Sequence, residues 1–168
     1  MPKVIYVGGD DVSTDVIYPG RFMATVLPSE TPQHAFADQP DLNARLRAKE
    51  FPPGSVLLAG SNFGCGSSRE QATSTLKGHE LTIVARSFAR IFLQNSINLG
   101  LRVVTAPQIE ASLGDELEIG PDSVRNLATG KTFPVEPLPE ARQAIIDAGG
   151  LIAYTRKRLL EQAGRPSA

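Results

Sequence analysis

The chain reads as an α/β protein built on parallel strands with helical crossovers. Three observations predict this. Short runs of β-branched and aliphatic residues recur at Val4–Val7, Val56–Ala59, 81–85 and 101–105, each bounded by glycine, proline or polar clusters. Between the last three runs lie stretches of helical periodicity, closed by Gly78 and Gly100. The middle of the chain thus alternates strand, helix, strand, helix, strand, a pattern that sets parallel strands side by side under their crossover helices.

The first strand ends in the turn cluster Gly8-Gly9-Asp10-Asp11. Ser13-Thr14-Asp15 and Pro19-Gly20 keep the next stretch irregular. Residues 28–54 form a polar, proline-rich connection with one short helix at 41–49, started by Asp41 and stopped by Pro52-Pro53-Gly54. After the second strand and a glycine-rich segment, a helix is expected over 69–77. Ser87 is expected to cap the following helix, with Phe88, Ile91, Phe92 and Ile97 on one face. Beyond Pro107 the texture changes to short strands at 116–119, 123–127 and 132–135. Two helices, 139–148 and 151–162, close the chain on either side of Gly149-Gly150, and Arg156, Lys157 and Arg158 read as a solvated basic face. A length of 168 residues suits one domain over 1–168, with a frayed tail at 164–168.

Composition narrows the function classes. Apolar residues make up 41% and charged residues 21%, an ordinary globular mix rather than a disordered one. A formal net charge of −1 offers no domain-wide field for nucleic acid, so no nucleic-acid partner is expected. No apolar run is long enough for a membrane span, and no signal peptide is visible. Cys65 is the single cysteine, which rules out an internal disulfide and a cysteine-only metal site and suits a reducing cytoplasm. His34 and His79 have no ligand-like partner in sequence, and His79, just past a helix-ending glycine, reads as a surface residue. No metal or cofactor is expected on this chain.

The segment Gly60-Ser61-Asn62-Phe63-Gly64-Cys65-Gly66-Ser67-Ser68-Arg69-Glu70 is the most informative. Gly64 and Gly66 let the backbone take positive φ and approach a ligand closely. Ser67 and Ser68 are placed at a helix N-terminus, where free N–H groups and the helix dipole favour an anion. Arg69 adds a guanidinium suited to a carboxylate. The phosphate-loop pattern fails for want of Gly-Lys-Ser/Thr, and the dinucleotide pattern fails because Arg69 stands where its last glycine should be. These residues alone leave two readings open, an anion-binding loop and an ordinary capped helix with an exposed arginine.

The stretch NFGCGSSRE at 62–70 resembles the signature of the swivelling domain of the aconitase superfamily, as does SFARIFLQNSINLGL at 87–101. GDDVSTDVIYPGRF at 9–22 resembles the opening motif of that family, and AGGLIAYTRKRL at 148–159 resembles the end of isopropylmalate dehydratase small subunits. The motifs keep the family's order and span nearly the whole chain. The resemblance implies a swivelling β/β/α domain and a hydro-lyase made of two kinds of subunit. The large subunit would carry a four-iron four-sulfur cluster that takes the substrate's hydroxyl, and the small subunit would close over it as a heterodimer or heterotetramer. An isolated small subunit exposes the face that meets its partner, so self-association is expected of it alone.

Carried over residue by residue, Ser67 matches the catalytic serine that removes a proton beside a carboxylate, and Arg69 would bind that carboxylate and support the serine alkoxide. Ser68 would cap the helix and border the substrate, with Gly64 and Gly66 supplying the loop backbone. Thr14 and Asp15 read as fixing the opening turn, Cys65 as packing, and Arg90 as one half of a structural ion pair. Arg21 would either reach the site or brace its loop. Gln71 departs from the histidine many relatives carry.

The resemblance implies that residues 22–54 hold the substrate-recognition loop and its connection. No lysine or arginine lies between Arg21 and Arg45. A third carboxylate against Met23, Ala24 and Val26 would lack a partner, whereas an isopropyl group there would gain roughly 1–3 kcal/mol from burial. The expected substrate is a small dicarboxylic hydroxy acid, 3-isopropylmalate first, with dimethylmalate, citramalate or citraconate, and homoaconitate as alternatives. A stand-alone anion-binding or regulatory module is the reading from a different class.

Overall fold

The computed structural model describes residues 1–165. At its centre β1 (Val4–Val7), β2 (Val56–Ala59), β3 (Thr82–Ala85) and β4 (Arg102–Thr105) lie side by side in that order, all parallel. Successive residues on a strand point to opposite faces, so each run of consecutive apolar residues serves two cores. Leu57, Ile83 and Val103 share one register row and face one core, while Leu58, Val84 and Val104 share the next row and face the other. Each side chain so buried contributes roughly 1.5–3 kcal/mol.

The first core is roofed by helices. α1 (Thr14–Ile17) and α2 (Pro40–Arg47) lie in the β1–β2 connection, α3 (Glu70–Gly78) and α4 (Arg90–Leu99) are the crossovers, and α5 (Glu140–Asp147) and α6 (Leu151–Ala163) end the chain. α3 buries Ala72 and Leu76 on this face, and α4 buries Phe92 and Ile97. Across the opposite face lies an antiparallel sheet of β5 (Leu117–Ile119), β6 (Ser123–Asn126) and β7 (Thr132–Pro134), which contributes Leu117, Val124 and Phe133. The layers run antiparallel sheet, parallel sheet, helices, as the swivelling β/β/α expectation requires. Of the tail expected to fray, residues 166–168 lie outside the described residues.

Several local expectations are corrected. The stretch after β1 is not irregular: Ser13 Oγ accepts the Val16 N–H and caps α1. Ser87 caps nothing. α4 starts three residues later with Ala89 as N-cap, and the Ser87 hydroxyl instead accepts the Asn62 N–H at 2.8 Å, tying the glycine-rich segment to the end of β3. Ile91 is 49% exposed, because adjacent helical residues lie about 100° apart and Phe92, not Ile91, faces the core. α2 begins at Pro40, with Asp41 in its first turn. Gly100 does close α4 in the left-handed conformation, at φ 73°.

His79 is half-buried rather than a surface residue, and its Nε2–H donates to the Pro32 carbonyl at 2.8 Å. Loss of solvent around the ring holds its pKa below the ordinary value, against the opposing pull of that carbonyl. His34, stacked on Phe22 at 3.9 Å, is held down chiefly by the same cause. With the folded pKa lowered, the unfolded chain binds protons first as pH falls, so stability is full above the ordinary histidine pKa and is lost as pH drops below it. Urea midpoints are therefore expected to fall between pH 7.5 and 5.5, and His79→Gln, which keeps an N–H donor, to flatten the fall. An unchanged slope in the variant would remove His79 from the account.

Candidate active site

The glycine-rich segment runs from the end of β2 to the start of α3, and glycine geometry sets its path. Gly64 takes φ +82°, and a Cβ there would stand 2.6 Å from Phe92 Cδ2 and nearer still to that side chain's Cβ and Cγ. Only glycine lets the segment pass this close to α4. Gly66 takes φ +88° and turns the chain outward, leaving Ser67 and Ser68 exposed. Phe63, Phe88 and Phe92 pack as an aromatic trio beneath, with Phe63 edge-on to both others at 6.0 and 5.2 Å.

The opening segment lies alongside. Gly64 N donates to Val12 O, Thr14 N donates to Cys65 O, and the Thr14 hydroxyl donates to the Ser67 carbonyl at 2.7 Å. These bonds fix the Ser67 backbone and leave its Oγ with no partner among the described residues. Arg69 is largely buried. Its Nη1 donates to Asp15 Oδ1 at 2.6 Å and to the Tyr18 carbonyl at 3.2 Å. The Arg69 guanidinium, followed by the Gly20 N–H, holds the Asp15 carboxyl below the usual carboxylate range. Thr14 and Asp15 thus brace the turn, as expected, and Asp15 aims the arginine while occupying one of its edges.

Ser67 and Ser68 do not occupy the helix cap. Arg69 is the N-cap of α3, in an extended conformation at φ −131°, so both serines precede it and Ser68 makes no capping bond. The extra extended residue carries them beyond reach of the first-turn amides. They line instead an open cleft of about 290 Å³, together with Gly64, Gly66 and Arg69 from the loop and Arg90 and Asn95 from α4. Arg90 is exposed and makes no ion pair among the described residues, contrary to expectation. Arg90 and Asn95 were missed as site residues because their position depends on how α4 packs against Gly64.

The stretch expected to recognise the substrate does not line this cleft itself but abuts Arg69 and Gln71. Arg21 braces it by pairing with Asp38 at 2.6 Å and lying over the Phe22 ring at 4.6 Å, rather than lining the cleft. Tyr18 Oη donates toward the Phe22 and Thr25 carbonyls at 3.1 and 3.3 Å. Gln71 Nε2–H donates to the Met23 carbonyl at 3.2 Å, a role invisible in sequence. Ala24 is exposed, and Met23 and Val26 are 40% and 64% exposed, leaving an apolar strip uncovered. Gln71→Ala is expected to cost about 1 kcal/mol locally and to speed proteolytic cleavage within residues 23–30 roughly fivefold, without moving the global melting point. An unchanged cleavage rate would remove Gln71 as the tether.

A larger hollow, about 580 Å³, opens at the carboxyl ends of β1 and β2. Its carboxylates are all engaged: Lys131 pairs with Glu110 at 2.9 Å, Asp115 accepts Asn126 and Ser112 N–H groups, and Asp10 accepts the Ser61 N–H, while Arg86 reaches the Ile109 carbonyl at 3.5 Å. The serine cleft is smaller but keeps uncommitted hydroxyls and cations. Among the described residues no group of three or more histidine, cysteine or acidic side chains is placed to hold a metal ion. No helix of the described chain is long and apolar enough to cross a membrane.

A β/β/α fold whose strand-to-helix glycine loop presents Ser-Ser-Arg defines a class of protein, and residues 12–108 match the family model of the aconitase C-terminal domain. The 3-isopropylmalate dehydratase small subunit of Methanosarcina acetivorans is 42% identical, with 92% of this chain and 95% of that protein covered. The isopropylmalate/citramalate isomerase small subunit of Methanocaldococcus jannaschii is 39% identical, with 91% and 92% covered. A crystal structure of 3-isopropylmalate dehydratase from the same organism superposes with a TM-score of 0.84 at 38% identity, covering 96% of each chain. The chain belongs to the family of 3-isopropylmalate dehydratase small subunits.

Proposed function

We propose that the chain is the small subunit of a hydro-lyase of leucine biosynthesis that interconverts 2- and 3-isopropylmalate by dehydration and rehydration, with Ser67 as its base. The observation that carries this reading is the exposed, unpartnered Ser67 hydroxyl in a cleft lined by arginines and by no carboxylate. Ser67 Oγ takes the proton from the carbon beside a substrate carboxylate. A serine hydroxyl is a weak base at neutral pH, so the alkoxide needs positive neighbours. The edge of Arg69 not held by Asp15 supplies one while binding that carboxylate. Ser68 borders the substrate, and Gly64 and Gly66 keep the loop backbone close to it.

This chain offers no ligand set for an iron–sulfur cluster, since Cys65 stands alone. A four-iron four-sulfur cluster on a large partner subunit, in a heterodimer or heterotetramer, would supply the Lewis-acid chemistry that lets the hydroxyl leave. The uncovered strip of Met23, Ala24 and Val26, whose neighbouring cation in sequence, Arg21, is already paired with Asp38, favours an isopropyl group over a third carboxylate. Citramalate is the second reading, supported by the isomerase small subunit at 39% identity, whose printed name includes that substrate.

The test combines this chain with its reconstituted large subunit and follows alkene absorbance from 2-isopropylmalate, citramalate and homoaconitate in parallel. Turnover of 2-isopropylmalate with the highest kcat/KM is expected. Preference for citramalate or homoaconitate would overturn the substrate, and a stable chain that binds no large subunit would overturn the enzyme reading.

A further inference from the structure

A serine alkoxide needs positive charge beside it, and the arginine nearest to Ser67 in sequence is already shared. Arg69 is paired with Asp15 at 2.6 Å. Once its remaining edge takes a substrate carboxylate, one guanidinium faces two carboxylates, and the group carries a net negative charge. By Coulomb's law that group opposes an alkoxide on Ser67 rather than favouring it. A second cation is needed, and the cleft contains one. Arg90 of α4 is exposed in the same cleft and has no acceptor among the described residues. Its position is fixed from behind. Ala89 N donates to Phe63 O at 2.9 Å, and Phe92, two residues past Arg90, is 2% exposed and packs against Gly64. The backbone bearing Arg90 is therefore locked to the loop bearing Ser67, even though the guanidinium itself is free. The other titratable groups around the cleft are Cys65 and Arg69 of the loop, with Asp15 of α1 behind Arg69. Glu70, which opens α3, does not line it. Arg142 of α5 shares an adjoining hollow with Arg90, so positive charge extends to that side, and no acidic side chain lines either space.

We propose that Arg90 is a positioning residue for proton abstraction: its guanidinium, free of any acidic partner, supplies the positive potential that stabilises Ser67 Oγ as an alkoxide. In that step the C–H proton passes to Ser67 Oγ, and the C–H electron pair becomes the alkene bond as the hydroxyl leaves with its own pair. Arg90 acts through Ser67 and needs no contact with the substrate. Arg69 is left to bind its carboxylate while Arg90 offsets the charge that this binding adds. The proposal rests on the reading of Ser67 as the base given above.

The first test uses the complete complex with the large subunit. Arg90→Gln is expected to lower kcat at neutral pH by roughly ten- to hundredfold, a loss of electrostatic stabilisation, with KM little changed. The rising limb of the kcat–pH profile should move to higher pH, because the alkoxide is less favoured. Arg90→Lys keeps the charge and should keep most of the rate and the parent profile. In a Ser67→Ala background, Arg90→Gln should cost nothing further. A purely structural arginine would scale the rate equally at every pH and in either background. The second test needs neither partner nor substrate. Ser67→Cys places a titratable thiol at the same point of the free chain, and its alkylation by iodoacetamide, read by peptide mass to separate it from Cys65, reports the thiolate. Adding Arg90→Gln should slow that alkylation at pH 7 by roughly three- to tenfold, since a nearby guanidinium favours the thiolate, and Arg90→Lys should slow it much less. An unmoved pH profile in the complex, or equal alkylation rates with and without Arg90, would overturn the proposal. If the wild-type complex fails to isomerise isopropylmalate, the functional reading falls separately, and the alkylation rates alone decide whether Arg90 governs ionisation at position 67.

Discussion

Ser67→Ala is expected to lower kcat of the assembled complex by roughly 10²–10⁴, the usual contribution of a positioned general base, with KM little changed. The substitution removes only Oγ, which has no partner among the described residues. The bond from the Thr14 hydroxyl goes to the Ser67 carbonyl and survives. Melting temperature and affinity for the large subunit should therefore match the parent, so a loss of rate can be assigned to chemistry. Activity within a few-fold of the parent would remove Ser67 as the base and leave the proton to a group on the partner.

The second large effect is on stability. Gly64→Ala meets two penalties at once: a side chain at φ +82°, worth roughly 1–2 kcal/mol, and a Cβ driven into Phe92, worth roughly 1–3 kcal/mol. The sum, about 2–5 kcal/mol, corresponds to a fall in melting temperature of roughly 4–20 °C for a domain of this size. Gly64→Asn separates the two penalties. Asparagine tolerates the left-handed region, so it would recover stability if backbone strain were the main cause. The steep overlap with Phe92 predicts no recovery. A melting temperature for Gly64→Ala within a degree of the parent would show that α4 can retreat from the loop.

Much of this was legible in the sequence, for identifiable reasons. Val56–Ala59 and 81–85 announced buried strands because a sheet covered on both faces needs apolar residues at every position. Gly78 and Gly100 marked helix ends because the signal is local. What failed was what depended on partners distant in sequence. Ser87 has the chemistry of a cap, but the Asn62 N–H claims its hydroxyl from 25 residues away. Arg90 lies between apolar positions and looked structural, yet the packing of Phe92 against Gly64 sets it at the cleft wall. His79 followed a glycine and looked exposed, until Pro32 closed over it. Ser67 and Arg69 stood out in the sequence as candidates, but not the half-occupied state of Arg69, since nothing local couples it to Asp15.

The bonds that shape the active loop join residues far apart: Thr14 to Ser67, Asp15 to Arg69, Asp11 to Asn62 and Asp10 to Ser61, with separations of 51 to 54 positions. The loop is a seam stitched from two stretches of chain and has no scaffold of its own. A nascent chain cannot set Ser67 until the opening segment has docked beside β2, and a fragment lacking its first twenty residues cannot set it at all. A partly folded or clipped subunit would thus misplace the proposed base before meeting any partner, so turnover would report on correct maturation as well as on chemistry.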